Sequence, residues 1–201
     1  MRVEHWHTKP WWEKGIDILV GSIWVVYAAL YLSQAWMTRS WANGGLFLFY
    51  TLVAFLFIFR RPARRRARWW QTALALGDAI WPVVWLRPTG HGVWLGTLLQ
   101  GGAMLIMLMA TLSLGWSFGI APADRGLQTR GLYRWVRHPL YAGELLFYLG
   151  YCTSHPSWHN LVGMGVSLLL VWFRMRWEEA IIQGYEGYAR RVPWRLVPGV
   201  W

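Results

Sequence analysis

"IDILVGSIWVVYAALYLSQAW", Ile16 to Trp36, decides the fold. As a helix rising 1.5 Å per residue this run extends about 32 Å, enough to cross the ~30 Å hydrocarbon core of a bilayer. It is longer than the apolar region of a cleavable signal, and the residues before it, "MRVEHWHTKPWWEK", mix acids, bases and tryptophans, so it reads as a retained span. Similar runs place helices near Trp41 to Phe59, Trp69 to Leu86 and Gly92 to Leu114. Leu140 to Thr153 and Leu161 to Phe173 follow, separated by the turn-forming "SHPSWHN" with Pro156. Each of these two covers only about 20 Å, which implies a hairpin of helices whose ends run on into polar sequence. "RMRWEEAII" continues the helical pattern beyond Phe173. The expected architecture is an all-α polytopic membrane helix bundle of about six spans, the last two forming a helical hairpin. It is read as one integral membrane domain, with an N-terminal four-helix portion over 1–114 and a C-terminal portion over 115–201.

Composition agrees. The chain is 56% hydrophobic and 14% charged, too few charges to clothe a soluble globule of this length. Many of its tryptophans, among them Trp11, Trp12, Trp36, Trp41, Trp69, Trp70, Trp85 and Trp94, fall at the edges of apolar runs, where an amphipathic ring suits the headgroup layer. A net charge of +11 would suggest nucleic acid in a soluble chain, so its distribution has to decide. Eighteen of the 20 Lys and Arg fall in the N-terminus, "RRPARRRAR" (Arg60 to Arg68), Gly115 to His138, and Arg174 onward, leaving Arg39 and Arg87 in the opposite loops. That asymmetry obeys the positive-inside rule with both termini cytoplasmic, and the six-arginine loop reads as a topology signal in contact with membrane lipids, not as a nucleic-acid site. The single cysteine, Cys152, excludes an internal disulfide.

The cytoplasmic sequence with chemical variety lies beyond Leu114. "RGLQTRGLYRWVRHPLYAG" (Arg125 to Gly143), an apolar hairpin, "RMRWEEAII" and "YEGYARRVPWRLVP" follow in order. Pro139 suits the first turn of a helix, whose unpaired N–H groups make a ready site for a carboxylate. Arg174 and Glu178 stand at i, i+4 on one helical face, a spacing that by itself means no more than a surface ion pair. Asp78 and Glu144 fall inside expected spans, where ionisable groups face a cavity or a partner; for Asp78 the default is a polar tie between helices. His155 and His159 flank the outer turn without the acids or cysteines a metal site needs.

The three elements together, Gly-x-Tyr-x-x-x-Arg-His-Pro-x-Tyr, Arg-x-x-x-Glu-Glu and Tyr-x-x-Tyr before Val-Pro, resemble the isoprenylcysteine carboxyl methyltransferase family and the related phospholipid methyltransferases, over roughly Leu112 to Pro198. The resemblance implies S-adenosylmethionine as methyl donor, bound on the cytoplasmic side by these helices. Arg125, Gly126, Leu127 and Gln128 would follow it in extended form, and Tyr133, His138, Pro139, Leu140 and Tyr141 would contact it. Glu178 would bind its cationic or hydroxyl-bearing part, and Arg174 would face the polar end of a lipid substrate; these two carry the catalytic expectation. Glu179 is expected to support the site from behind. Glu144 would line the substrate passage, or act as a base if the acceptor is an amine, with a structural hydrogen bond as the alternative. Tyr185 and Tyr188 read as aromatic lids or interface anchors, and the Pro-containing tail as a strap folding back over the donor. The chain departs from the family in having only "AIIQG" between the paired acids and Tyr185, where the family has several more residues including a Phe-Gly pair. Two rivals remain open: an NADPH-dependent membrane reductase of the sterol-reductase type, which resembles the same C-terminal region, and a non-catalytic membrane scaffold. The identity of the methyl acceptor is left open.

Overall fold

The structure, a computed structural model, describes residues 8–39, 41–89 and 93–201, apart from the side chains of residues 41, 42 and 83. The expected start of the fourth span at Gly92 and the anchoring role of the Trp41 ring lie outside the described residues. Helices cover Trp11–Thr38 (α1), Trp41–Ile58 (α2), Trp69–Trp85 (α3), Trp94–Leu114 (α4), Pro139–Ser154 (α5), Trp158–Ile181 (α6) and Tyr185–Arg191 (α7). A minimal antiparallel pair joins Arg65–Arg66 (β1) to Ala123–Asp124 (β2), with Arg65 opposite Asp124. Each apolar run of the sequence falls on a helix, and α6 extends well past Phe173 as "RMRWEEAII" implied. Both α1 and α4 are long and apolar enough to cross a membrane, with 17% and 22% of their apolar windows buried, whereas a soluble core helix would be mostly buried. Trp11, Trp36, Trp69 and Trp94 are exposed at helix ends, as anchors would be.

The chain divides into two compact units, residues 1–63 with 115–119, and residues 64–114 with 120–201. In the first, α1 packs on α2. Gly21 makes the approach possible, because a Cβ there would fall inside the Ile58 side chain. The ring of Tyr50 stacks between Trp24 and Tyr31, at 5.8 and 5.3 Å. At the other end of α1, buried Asp17 is paired with Lys9 and with Arg60, whose Nε donates to Oδ1 at 2.8 Å.

In the second unit α4 packs along α5 through small residues. Gly96, Ala103 and Ala110 recur every seven positions and are buried, and Gly143 and Gly150 repeat the interval on α5. A Cβ at Gly150 would stand 2.9 Å from both the Gly96 carbonyl oxygen and the Gln100 nitrogen, so the two backbones touch. Helix α3 runs antiparallel to α6: Trp85 stacks on His159 at 4.3 Å, Trp81 Nε1 donates to the Gly163 carbonyl, Asp78 meets Arg174, and Trp70 meets Trp177 edge-on. Helices α5 and α6 form the expected hairpin, turned through His155 to Ser157. The fully buried side-chain amide of Asn160 closes that end, donating to the carbonyls of Arg87 and His155 and accepting from the Arg87 N–H. His155 and His159 are engaged there too, with Thr89 and the Trp85 carbonyl.

Candidate functional site

The beginning of α5 is built as the motif suggests. Pro139 opens the helix, where its missing N–H costs nothing. His138 occupies the cap position, but its ring makes no capping bond; Nε2 lies 3.2 Å from Glu179 Oε1 and 2.9 Å from the Tyr185 hydroxyl. The tail folds back here: the N–H groups of Arg137 and His138 donate to the carbonyls of Trp194 and Arg195, both at 2.8 Å. In the first turn, the N–H groups without an intrahelical acceptor are then those of Leu140 and Tyr141, since Pro139 has none.

Glu178 and Glu179 are neighbours in sequence, so the ~100° turn per helical residue sends them to different tasks. Glu179 is a structural knot. It accepts from Arg195 Nε at 2.9 Å and Nη2 at 3.2 Å, and from Arg137 Nη1 at 3.4 Å, in addition to His138. This part of α6 lies beyond the apolar stretch ending at Phe173. Burial alone would raise the Glu179 carboxyl, but hydrogen bonds and charge from His138 and Arg195 more than offset it and bring the carboxyl down to about 2. Glu178, by contrast, accepts the Tyr141 hydroxyl at 2.5 Å, with His138 Nδ1 3.8 Å from its other oxygen.

Arg174 does not pair with Glu178 in the manner its spacing would permit. It is buried, and Nη1 donates to Asp78 Oδ2 at 2.6 Å and stands 3.7 Å from Glu144, while Nη2 donates to the Ile120 carbonyl at 3.1 Å. Asp78 is thus the tie between α3 and α6 that its place in an apolar run suggested. The Arg174 guanidinium lies 4.7 Å from the centroid of the Tyr141 ring, a cation–π contact. Glu144 is held on its other side by the Tyr148 hydroxyl at 3.4 Å. One guanidinium therefore faces three carboxylates, Asp78, Glu144 and Glu178, all within its electrostatic range.

The loop before α5 supplies the remaining residues. Asp124, almost fully buried, accepts the Gly126 N–H at 2.9 Å and the Gln183 N–H at 3.4 Å, fastening the loop to the end of α6. This turn bends the chain at Gly126, whose φ of +94° suits glycine, so Arg125 to Gln128 is not uniformly extended. Gln128 donates back to the Gly126 carbonyl, and Leu127 packs on the cluster of Tyr185, Tyr188 and Val192. Gly131, with φ +58°, presses against Ser113, where a side chain would collide with Oγ. Tyr133 is buried within electrostatic reach of Glu178, Tyr185 and Tyr188, and burial, chiefly, pushes its hydroxyl well above the ordinary tyrosine value. The Tyr188 hydroxyl donates to the Tyr133 carbonyl at 2.5 Å. Tyr185 and Tyr188 are core residues of this region, too buried to serve as interface anchors.

Tyr133, His138, Tyr141, Glu178 and Arg174 are thus brought together at the junction of α5, α6 and the 120–134 loop. Glu144 sits one step deeper beside Arg174, and Gly126 to Gln128 approach through the α7 cluster. Arg195 and Asp124 were missed in the sequence, although both organise this region; each pairs with a partner far away along the chain, and local spacing carries no sign of it.

No curated protein gives a significant match to the chain. Residues 91–188 match the family model described as phospholipid methyltransferase, a stretch that contains α5, α6, the loop between α4 and α5 and every residue of the convergent site just described except Asp78 and Arg195. Residues 91–188 of the chain are thus similar to the phospholipid methyltransferases.

Proposed function

We propose that the protein transfers a methyl group from S-adenosylmethionine to a lipophilic acceptor, isoprenoid or phospholipid-like, at the cytoplasmic face of a membrane it crosses about six times. Methyltransferases of this family act on lipid-like substrates and generally use that donor. The observation that carries the reading is the state of Glu178. Asp78 and Glu144 share Arg174, and Glu179 is held by Arg137, His138 and Arg195. Glu178 takes one hydroxyl from Tyr141, and among the described residues no guanidinium comes within ion-pair distance of it. A carboxylate left short of positive charge beside buried aromatic rings fits a ligand that is both cationic and flat.

The residues present fit the donor's parts. Glu178 would hold its ammonium or sulfonium charge, or a ribose hydroxyl. The first-turn N–H groups of α5 would receive its carboxylate. Tyr133, Tyr141 and the Arg125 to Gln128 loop would flank the rest. When bound, S-adenosylmethionine supplies an electrophilic methyl carbon, so the protein's task is to align and desolvate. His138, fixed by Glu179 and Tyr185, keeps the start of α5 in place, and Tyr141 aims Glu178. Arg174 and Glu144 lie deeper in the helix pair, on the side from which a lipid would enter, and would meet the acceptor's polar end; Glu144 takes up the proton if that end is an amine.

Calorimetric titration of the detergent-solubilised protein tests the reading. Saturable binding of S-adenosylmethionine, weakened at least tenfold by Glu178→Gln and absent for NADPH, is expected. Binding of NADPH without binding of S-adenosylmethionine would support the reductase reading, and binding of neither the scaffold.

A further inference from the structure

Asp78 stands outside the stretch that matches the family, in the middle of the apolar helix α3, and is completely buried. Its Oδ2 receives Arg174 Nη1 at 2.6 Å, while among the described residues its Oδ1 has no hydrogen-bond partner, and neither does Arg174 Nε. A buried ion pair with an orphaned atom on each member is a poor device for stability, because desolvation of both charges consumes most of the attraction, and apolar packing would tie α3 to α6 at lower cost. The pair does, however, fix a direction. Held by Asp78 on one side and by the Ile120 carbonyl on another, the guanidinium is placed against the Tyr141 ring at 4.7 Å, and that ring carries the hydroxyl bonded to Glu178 at 2.5 Å.

From this chain of contacts we infer that Asp78 is a positioning residue of the site: it orients Arg174, Arg174 orients Tyr141, and Tyr141 aims the Glu178 carboxylate at the cationic ligand. The inference rests on the proposed binding of S-adenosylmethionine at Glu178 and adds a residue of α3 to its machinery. Without Asp78 the guanidinium has two other carboxylates within range, Glu144 and Glu178. Glu178 itself is the one that costs the site: a guanidinium that swings to it neutralises the charge meant for the ligand and breaks the aim set by Tyr141.

The test is the dissociation constant of S-adenosylmethionine in full-length protein, measured on fractions shown by circular dichroism and gel filtration to be folded. Wild-type protein must bind first; if it does not, the functional reading fails and this one with it. Given that binding, Asp78→Asn is expected to weaken it about tenfold, Arg174→Gln similarly, and the double variant no more than the worse of the two, because both cut the same chain. A merely structural Asp78 would lower the melting temperature while the folded fraction bound normally. If Asp78→Asn does not fold, the neutral Asp78→Asn, Arg174→Gln pair serves instead. Adding Tyr141→Phe to that pair should then change affinity less than twofold, against about tenfold in the wild-type background. Affinity within twofold of wild type in folded Asp78→Asn, or full additivity of Tyr141→Phe with the pair, would overturn the inference.

Discussion

The Tyr141 hydroxyl and Glu178 Oε1 stand 2.5 Å apart, joining the first turn of α5 to the end of α6 across 37 residues of sequence. Together with the contacts of Arg137 and His138 to Glu179, the bond ties the histidine-proline motif to the paired acids. Removing it with Tyr141→Phe leaves the ring in place and deletes a hydrogen bond to a charged group, an interaction worth about 1.5–3 kcal/mol. Donor affinity should fall on the order of tenfold or more, and the melting temperature by several degrees, as the loss of a bond of that strength requires. Calorimetry and thermal unfolding of the same preparation separate the two effects.

Glu179 predicts a pH dependence. Its carboxyl is brought from the ordinary 4.5 down to about 2 in the folded protein, so the unfolded state binds the proton more readily. The stability this group contributes is complete above about pH 4.5 and is lost as the pH falls from there toward 2. Glu179→Gln removes that contribution, and in unfolding measurements between pH 6 and 3 the variant should lose stability less steeply than wild type. Equal slopes would show that the His138, Arg137 and Arg195 contacts do not favour the carboxylate.

The helices were legible in the sequence because hydrophobic length is a property of consecutive residues, and every apolar run became a helix. The partner choice of α3 and α4 was not. Which small residues meet depends on faces seven positions apart, as with Gly96 and Gly150, and on tryptophan hydrogen bonds such as Trp85 to the His159 carbonyl at 2.9 Å. Motif order pointed to Tyr133, His138, Tyr141 and Glu178, which the fold brings near one another. Spacing alone misdirected Arg174 toward Glu178, because an i, i+4 rule cannot see Asp78, 96 residues away. The resemblance gave Glu178 and Glu179 different tasks, but nothing in the local spacing showed that Arg195 of the returning tail is what holds Glu179.

Close backbone contact between α4 and α5 gives a packing prediction. Gly150→Val places side-chain atoms against the Gly96 carbonyl and Gln100 nitrogen, backbone atoms that cannot turn aside, and should destabilise by about 1–3 kcal/mol. Gly165, on α6, has nothing within 4 Å of an added Cβ, and Gly165→Ala should stabilise by roughly 0.5–1 kcal/mol. Thermal unfolding in one detergent compares the two directly.

The amide of Asn160 is the corresponding fastening at the turn between α5 and α6. Asn160→Ala removes three bonds of a buried amide to the partly buried backbone of Arg87 and His155, at a cost of about 1 kcal/mol or more. Because this turn is at the far end of the hairpin from Glu178, donor affinity of the folded fraction should stay within twofold of wild type. A large loss of affinity without a loss of stability would mean that the two ends of the hairpin are coupled.

The central claim is that Glu178 and its neighbours hold a methyl donor against an oily acceptor. Incubating purified protein with radiolabelled S-adenosylmethionine and a total lipid extract, then counting label in the organic phase, tests it most directly. The account predicts a labelled lipid product whose formation drops at least a hundredfold with Glu178→Gln. An unlabelled organic phase across lipid extracts of differing source, or label that Glu178→Gln leaves at the wild-type level, would contradict it.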